Sequence, residues 1–302
     1  MPKFGKVAVI GAGQMGSTIA AHVANAGVPV VLLDVVPEGT ENRNILAETA
    51  LASMLKATPA PFMHNSAAKL ITPGNLEDHK GLLRDADWIC EAVIEDLAIK
   101  QNIYRMVDGV RGPASIVTSN TSTIPLTHLV DGLSDSFAEE FAITHFFNPP
   151  RYMRLLELVL GPATRSEVAG ALQEFCDVHL GKEVVPAKDT PGFIGNRIGI
   201  YWYYVAMSAA IELGLTVEEA DAVVGPPMGI PKTGIFGLID LTGIDLAPKV
   251  NATMLSMLPP DDTFCREFDP DGPLVSILSK MIIDGFTGRK GKGGFYRMLR
   301  DG

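Results

Sequence analysis

The residue types best suited to chemistry in this chain are His145-Phe146-Phe147-Asn148-Pro149, with Glu157 on the next apolar run. A histidine at the end of one strand and a carboxylate on the next can face each other across two adjacent strands. A general base and its orienting partner need that arrangement. Ser122 and Asn196 are two further polar positions at expected element ends, each able to hold a substrate oxygen. Ligands of open α/β sheets bind beyond the carboxyl ends of the strands. Ser122 follows a run ending near Ser119 and His145 follows Phe141 to Thr144, so both should reach that crevice. From spacing alone a plainer reading carries equal weight: a satisfied histidine, a surface glutamate and a turn serine.

The elements that must position these residues alternate strand and helix through the first half, which predicts a parallel sheet covered on both faces. Strands are expected at Val7 to Ile10, Val30 to Leu33, Trp88 to Val93, Ser115 to Thr118, Phe141 to Thr144, Leu156 to Leu160 and Glu183 to Pro186. Helices are expected at Met15 to Ala26, stopped by Gly27, and at Glu41 to Lys56, Ala67 to Leu70, Ile99 to Val110 and Ser166 to His179. From Gly192 onward helical runs are broken by Gly and Pro and no clear strand appears. Asp189 or Thr190 could cap a helix whose first turn holds Pro191, and the same stretch could serve as a hinge. The expected fold is α/β: a dinucleotide-binding domain over residues 1–188, then an all-helical C-terminal domain over residues 189–302.

Gly11-Ala12-Gly13-Gln14-Met15-Gly16 lies between the first strand and the first helix. Gly11 allows a tight turn, Gly13 lets backbone approach a pyrophosphate, and Gly16 lets helix pack close to strand. The N–H groups at Gln14 and Met15 open the helix toward the phosphates. Asp34 directly follows the second strand, where a carboxylate accepts from ribose hydroxyls and repels a 2′-phosphate. The loop is therefore a Rossmann-type site for NAD rather than NADP, and the His145 pair belongs to hydride-transfer chemistry, which needs no metal.

The composition agrees. The chain of 302 residues is 47% hydrophobic, with a net charge of −10 and no basic stripe for nucleic acid. Cys90, Cys176 and Cys265 are widely spaced and expected to be free thiols of a reducing compartment. The longest uncharged apolar run, Ile198 to Ile211, falls short of the roughly 20 residues of a membrane span. The chain enters a strand within about ten residues of Met1, so no signal peptide is expected. The protein should be soluble and cytoplasmic.

The chain resembles the L-3-hydroxyacyl-CoA dehydrogenases of fatty-acid β-oxidation, including 3-hydroxybutyryl-CoA dehydrogenases. The likeness is carried by Gly11 to Gly16, Glu91-Ala92-Val93-Ile94-Glu95-Asp96, Ser119-Asn120-Thr121-Ser122, His145 to Pro150, Lys188 to Arg197, Pro227-Met228-Gly229 and Gly293-Gly294-Phe295-Tyr296. These stretches occur in the family's order and cover nearly the whole chain. The resemblance implies His145 as general base, Glu157 as its paired carboxylate, and Ser122 and Asn196 at the substrate's 3-oxygen and thioester region. It implies that Glu95, Lys100, Asn148 and Lys290 lie near NAD, with Lys100 also near CoA. From the residues alone, Glu95 and Lys100 could equally be solvated charges at a helix start.

In the family a Ser and a Lys on a helical arm contact CoA. In this chain Thr49 and Lys56 keep that spacing, and Ser53 could equally serve. The resemblance further implies an acyl-CoA substrate and a homodimer, with the aromatic run Tyr201 to Tyr204 as dimer surface or monomer core. Rival readings are a gulonate- or carnitine-type dehydrogenase of the same fold, and a non-catalytic NAD-binding structural protein. The Asn148-Pro149-Pro150-Arg151-Tyr152 continuation departs from the short single-function enzymes. With Arg300-Asp301-Gly302 as an arbitrary-looking stop, it suggests the dehydrogenase part of a multifunctional enzyme.

Overall fold

The structure is a computed structural model that describes residues 4–297, so Arg300, Asp301 and Gly302 lie outside the described residues. The chain divides into two compact units between Phe193 and Ile194, five residues beyond the expected boundary. The first unit is built on strands β1 (Val7–Ile10), β2 (Val30–Asp34), β3 (Ile71–Asn75), β4 (Trp88–Glu91), β5 (Ile116–Ser119), β6 (Phe141–Phe146), β7 (Leu155–Leu160) and β8 (Glu183–Ala187). They form one sheet in the order β3-β2-β1-β4-β5-β6-β7-β8. β1, β4 and β5 are buried along their whole length, as continuous apolar strands covered on both faces must be. The covering helices are α1 (Gln14–Asn25), α2 (Ile45–Met54), α3 (Leu97–Asp108), α4 (Leu126–Leu129), α5 (Asp135–Glu139) and α6 (Ser166–Glu174). Two buried clusters lie on the two faces, one around Trp88, Phe146 and Phe175, the other around Tyr104, Phe137 and Phe141.

The sheet departs from the expected parallel arrangement at one edge. β6 and β7 pair antiparallel, and β8 runs parallel to β7. The link from Phe146 to Leu155 is too short for a parallel crossover, which takes about a dozen residues or more. The reversal sets His145 directly opposite Glu157.

Other expectations are corrected. β3, which is not among the expected strands, contains Pro73 and Gly74; it is an edge strand bonded only to β2, where proline is tolerated. The helix expected over Ala67 to Leu70 is a short 3₁₀ helix, Asn65–Leu70. The Glu41 to Lys56 helix is trimmed to Ile45–Met54. Gly27 does follow α1, at φ 80°.

The second unit contains α7 (Gly195–Glu212), α8 (Val217–Val223), α9 (Phe236–Thr242), α10 (Ala247–Met257), α11 (Thr263–Glu267) and α12 (Pro273–Ile283), and no strand among its described residues. Buried Asp221 accepts from the N–H groups of Ile235, Phe236 and Gly237 and so caps α9. Trp202, Tyr203 and Tyr204 pack on this unit's own apolar clusters, and Tyr201 donates to Glu267 at 2.6 Å. Each of the four aromatic residues is half-buried.

Candidate active site

At the carboxyl end of β1 the chain turns sharply at Gly11, whose φ is 105°. A Cβ at Gly11 would meet the Ala92 carbonyl at 2.5 Å, and one at Gly16 would meet the Gly11 carbonyl at 1.9 Å. Both positions admit glycine alone. Gly13 is different, since a Cβ there would meet nothing within 4 Å. Its lack of a side chain keeps that space open for a ligand rather than for a neighbour. No side chain caps α1, so its first N–H groups can bind phosphate. Asp34 ends β2, its carboxylate oriented by the N–H groups of Ala12 and Val35, each at 2.6 Å. The loop thus fits a dinucleotide. Replacing Asp34 by alanine should weaken NADH binding by roughly 1.5–3 kcal/mol, the worth of charge-assisted hydrogen bonds, as read by NADH fluorescence titration. An unchanged dissociation constant would remove Asp34 from the site.

His145 lies on β6 itself, one residue inside its end rather than after it. Its Nδ1 is 2.6 Å from Glu157 Oε2, and both residues are buried, Glu157 completely. An ionised carboxylate can only accept, so Nδ1 carries the proton and Nε2 has the free lone pair. The imidazole is also held by two rings, Phe147 at 4.5 Å and Phe193 at 5.6 Å between centroids. Phe193 has φ 48°, a costly conformation for a bulky residue. Its strain falls at the ring that packs on the histidine.

Ser122 sits in the loop after β5, half-buried. Two carboxylates far along the chain hold that loop. Glu95 Oε1 accepts from the N–H groups of Ser122 (3.0 Å) and Thr123 (3.1 Å) and from the hydroxyls of Thr121 and Thr123. Burial alone would raise Glu95. The Lys100 ammonium and these donors outweigh it and keep the carboxyl below its usual range. Asp189 accepts from Leu126 N (2.7 Å) and Thr127 N (3.3 Å), so it caps α4. The expected helix starting at Pro191 is absent, because Asp189 caps a helix that precedes it by sixty residues or so and has no capping side chain of its own.

Lys100, expected beside NAD and CoA, is 1% exposed, with its ammonium 2.7 Å from Glu91 and 3.3 Å from Glu95. It pairs with Glu95, which holds the Ser122 loop. Glu91, to which the sequence assigned no role, is the hub. It accepts from Lys100 Nζ, Tyr104 Oη, Ser119 Oγ (2.7 Å) and Val93 N (2.7 Å). Burial and the Glu91 charge push the Tyr104 hydroxyl well above its usual range, so it stays a donor. A glutamate closing the apolar run Trp88-Ile89-Cys90 was the available signal.

Asn148 and Gln14 share a cleft of about 470 Å³ with the glycine loop and α2. Ser53 lines this cleft, whereas Thr49 and Lys56 are exposed and do not. Met15 stands in the first turn of α1. Asn196, in the first turn of α7, and Lys290, exposed in the loop after α12, belong to the second unit.

A glycine loop with a ribose carboxylate, and a buried histidine–carboxylate pair on the same sheet, define an NAD-dependent oxidoreductase. Residues 6–190 match the 3-hydroxyacyl-CoA dehydrogenase NAD binding domain and residues 192–298 the C-terminal domain of the same enzymes. The chain belongs to the 3-hydroxyacyl-CoA dehydrogenase family. It is 42% identical over 299 residues to a "probable 3-hydroxyacyl-CoA dehydrogenase" of Deinococcus radiodurans, covering 99% of this chain and 84% of the relative. A Bacillus subtilis protein described in the same words is 39% identical over 306 residues, covering 97% of this chain but only 38% of the relative. Among solved structures, FadB2 of M. tuberculosis superposes with a TM-score of 0.81 at 29% identity, covering 99% of this chain and all of that one.

Proposed function

We propose that the protein oxidises the 3-hydroxyl of L-3-hydroxyacyl-CoA thioesters to the ketone, as part of fatty-acid oxidation. The observation that carries this reading is the buried His145–Glu157 pair, 2.6 Å apart at the carboxyl end of β6. NAD, when bound, accepts the hydride from the substrate's C3. His145 Nε2 takes the hydroxyl proton as C3 loses the hydride, and Glu157 stabilises the imidazolium that forms. Ser122 Oγ holds the 3-oxygen. Glu95 and Asp189 keep the Ser122 loop in place. In the reverse direction the imidazolium returns the proton to the same oxygen.

The test is acetoacetyl-CoA-dependent oxidation of NADH. Turnover with acetoacetyl-CoA but not with small hydroxy or keto acids is expected. Use of gulonate or carnitine, or no turnover with any of them, would displace this reading in favour of a different substrate or a structural role.

The protein is a homodimer in this proposal, and the three thiols, Cys90, Cys176 and Cys265, suit a reducing cytoplasm. A monomeric mass by light scattering at micromolar concentration would refute the dimer. The chain spans 38% of the length of the Bacillus subtilis relative, which supports reading it as equivalent to one part of a longer enzyme.

A further inference from the structure

The loop between β6 and β7 has no part in the proton transfer, yet it is fastened from two sides. Lys182, 2% exposed, donates from Nζ to the carbonyls of Pro150 and Met153, the latter at 2.8 Å. Arg151 Nη1 donates to the carbonyls of Ala60 and Phe62 at 2.6 and 2.8 Å, and Tyr152 Oη donates to Ala60 at 3.0 Å. The segment that departs from the family after His145 is therefore bonded to the other segment that departs, the end of the arm. These bonds use one guanidinium nitrogen and leave the Nε and Nη2 donors of Arg151.

Arg151 also lines the 470 Å³ cleft, together with Gly13, Gln14, Ser17, Ser53 and Asn148. It is the one charged side chain among the described residues that line it. Asp34, which marks the ribose end of the dinucleotide groove, and Glu95 are not among those walls. The cleft thus lies on the α2 side of the glycine loop, with one cation and no carboxylate. In a chain of net charge −10, such a place selects anions locally. A planar guanidinium matches phosphate oxygens in pairs.

We propose that Arg151 anchors the nucleotide phosphates of the CoA carrier, in the role the arm's Thr49 and Lys56 were expected to fill. This rests on the reading that the substrate is an acyl-CoA. With its loop fixed by Lys182 and its guanidinium by the Ala60 and Phe62 carbonyls, the side chain is already ordered before the ligand arrives, which lowers the entropy lost on binding.

The experiment compares acetoacetyl-CoA, its dephospho form and acetoacetyl-pantetheine, which lacks the nucleotide. Arg151→Met should raise KM for acetoacetyl-CoA roughly tenfold or more, the worth of a charge-assisted contact. Its kcat and its KM for NADH should stay within about twofold, and kcat/KM for acetoacetyl-pantetheine should be unchanged. Arg151→Lys should keep part of the affinity. A normal effect on the dephospho substrate would assign the contact to the pyrophosphate; its loss would assign it to the 3′-phosphate.

Adenosine 3′,5′-bisphosphate should compete with acetoacetyl-CoA and not with NADH on the unmodified enzyme, and less well on Arg151→Lys. Equal losses on both CoA and pantetheine thioesters would overturn the proposal and leave Arg151 as a clip for residues 60–62. So would an unchanged KM for acetoacetyl-CoA, or a matching loss of NADH affinity. If the unmodified enzyme used no acyl thioester at all, the acyl-CoA reading would fall first and this proposal with it.

Discussion

Replacing His145 with glutamine is expected to lower kcat by about 10²–10⁴-fold, the usual contribution of a positioned general base. Glutamine keeps the approximate size and can still hydrogen-bond Glu157, but its amide cannot take a proton. NADH affinity should be unchanged, because the glycine loop and Asp34 lie on β1, α1 and β2. The measurement is steady-state reduction of acetoacetyl-CoA beside NADH fluorescence titration. A variant keeping more than a tenth of wild-type turnover would eliminate His145 as the base. Glu157→Gln should cost less, roughly 10- to 100-fold, because it removes a charge-assisted hydrogen bond worth about 1.5–3 kcal/mol while the base stays. A Glu157→Gln loss as large as that of His145→Gln would mean that the carboxylate does more than orient and stabilise the ring.

Glu91 is expected to matter most for stability. Its carboxylate gathers four donors and is 1% exposed, as is the Lys100 side chain paired with it. Glu91→Ala strands a buried ammonium and two buried hydroxyls, which should destabilise the fold by about 3–5 kcal/mol in urea unfolding. Lys100 would then lean on Glu95 alone, loosening the Ser122 loop, so kcat should fall as well. Removing both charges together, as in Glu91→Leu with Lys100→Met, should recover much of the stability, since the desolvation cost of the stranded cation disappears. It should not recover turnover, because Lys100→Met takes from Glu95 its cation. A loss for Glu91→Ala below about 1 kcal/mol, as for a surface pair, would show that the network does not hold the loop.

How far the site could be read from sequence depended on whether a residue acts through its neighbours in the chain. Gly11, Gly13, Gly16 and Asp34 could be read, because a turn between strand and helix is a local object and its glycine requirements follow from it. His145 and Glu157 could be paired because they stand on consecutive apolar runs, which are expected to form neighbouring strands. The burial of Lys100 could not be read, because Lys100 stands on α3 and its partner Glu91 on β4. Asp189 was misread because the helix it caps lies far back in the chain. β3 was missed because only its place at the sheet edge makes Pro73 acceptable.

The sequence by itself determined the glycine-loop turn and the alternation of strand and helix, since these follow from local backbone freedom and hydrophobic period. The tertiary structure alone decided that β7 reverses and sets Glu157 against His145, and that Glu95 and Asp189 fix the Ser122 loop. It also decided that Lys100 turns inward and that Arg151 faces the cleft beside α2. Those outcomes depend on strand pairing and burial between segments distant in sequence, where a charge finds its partner only once the chain has closed around it.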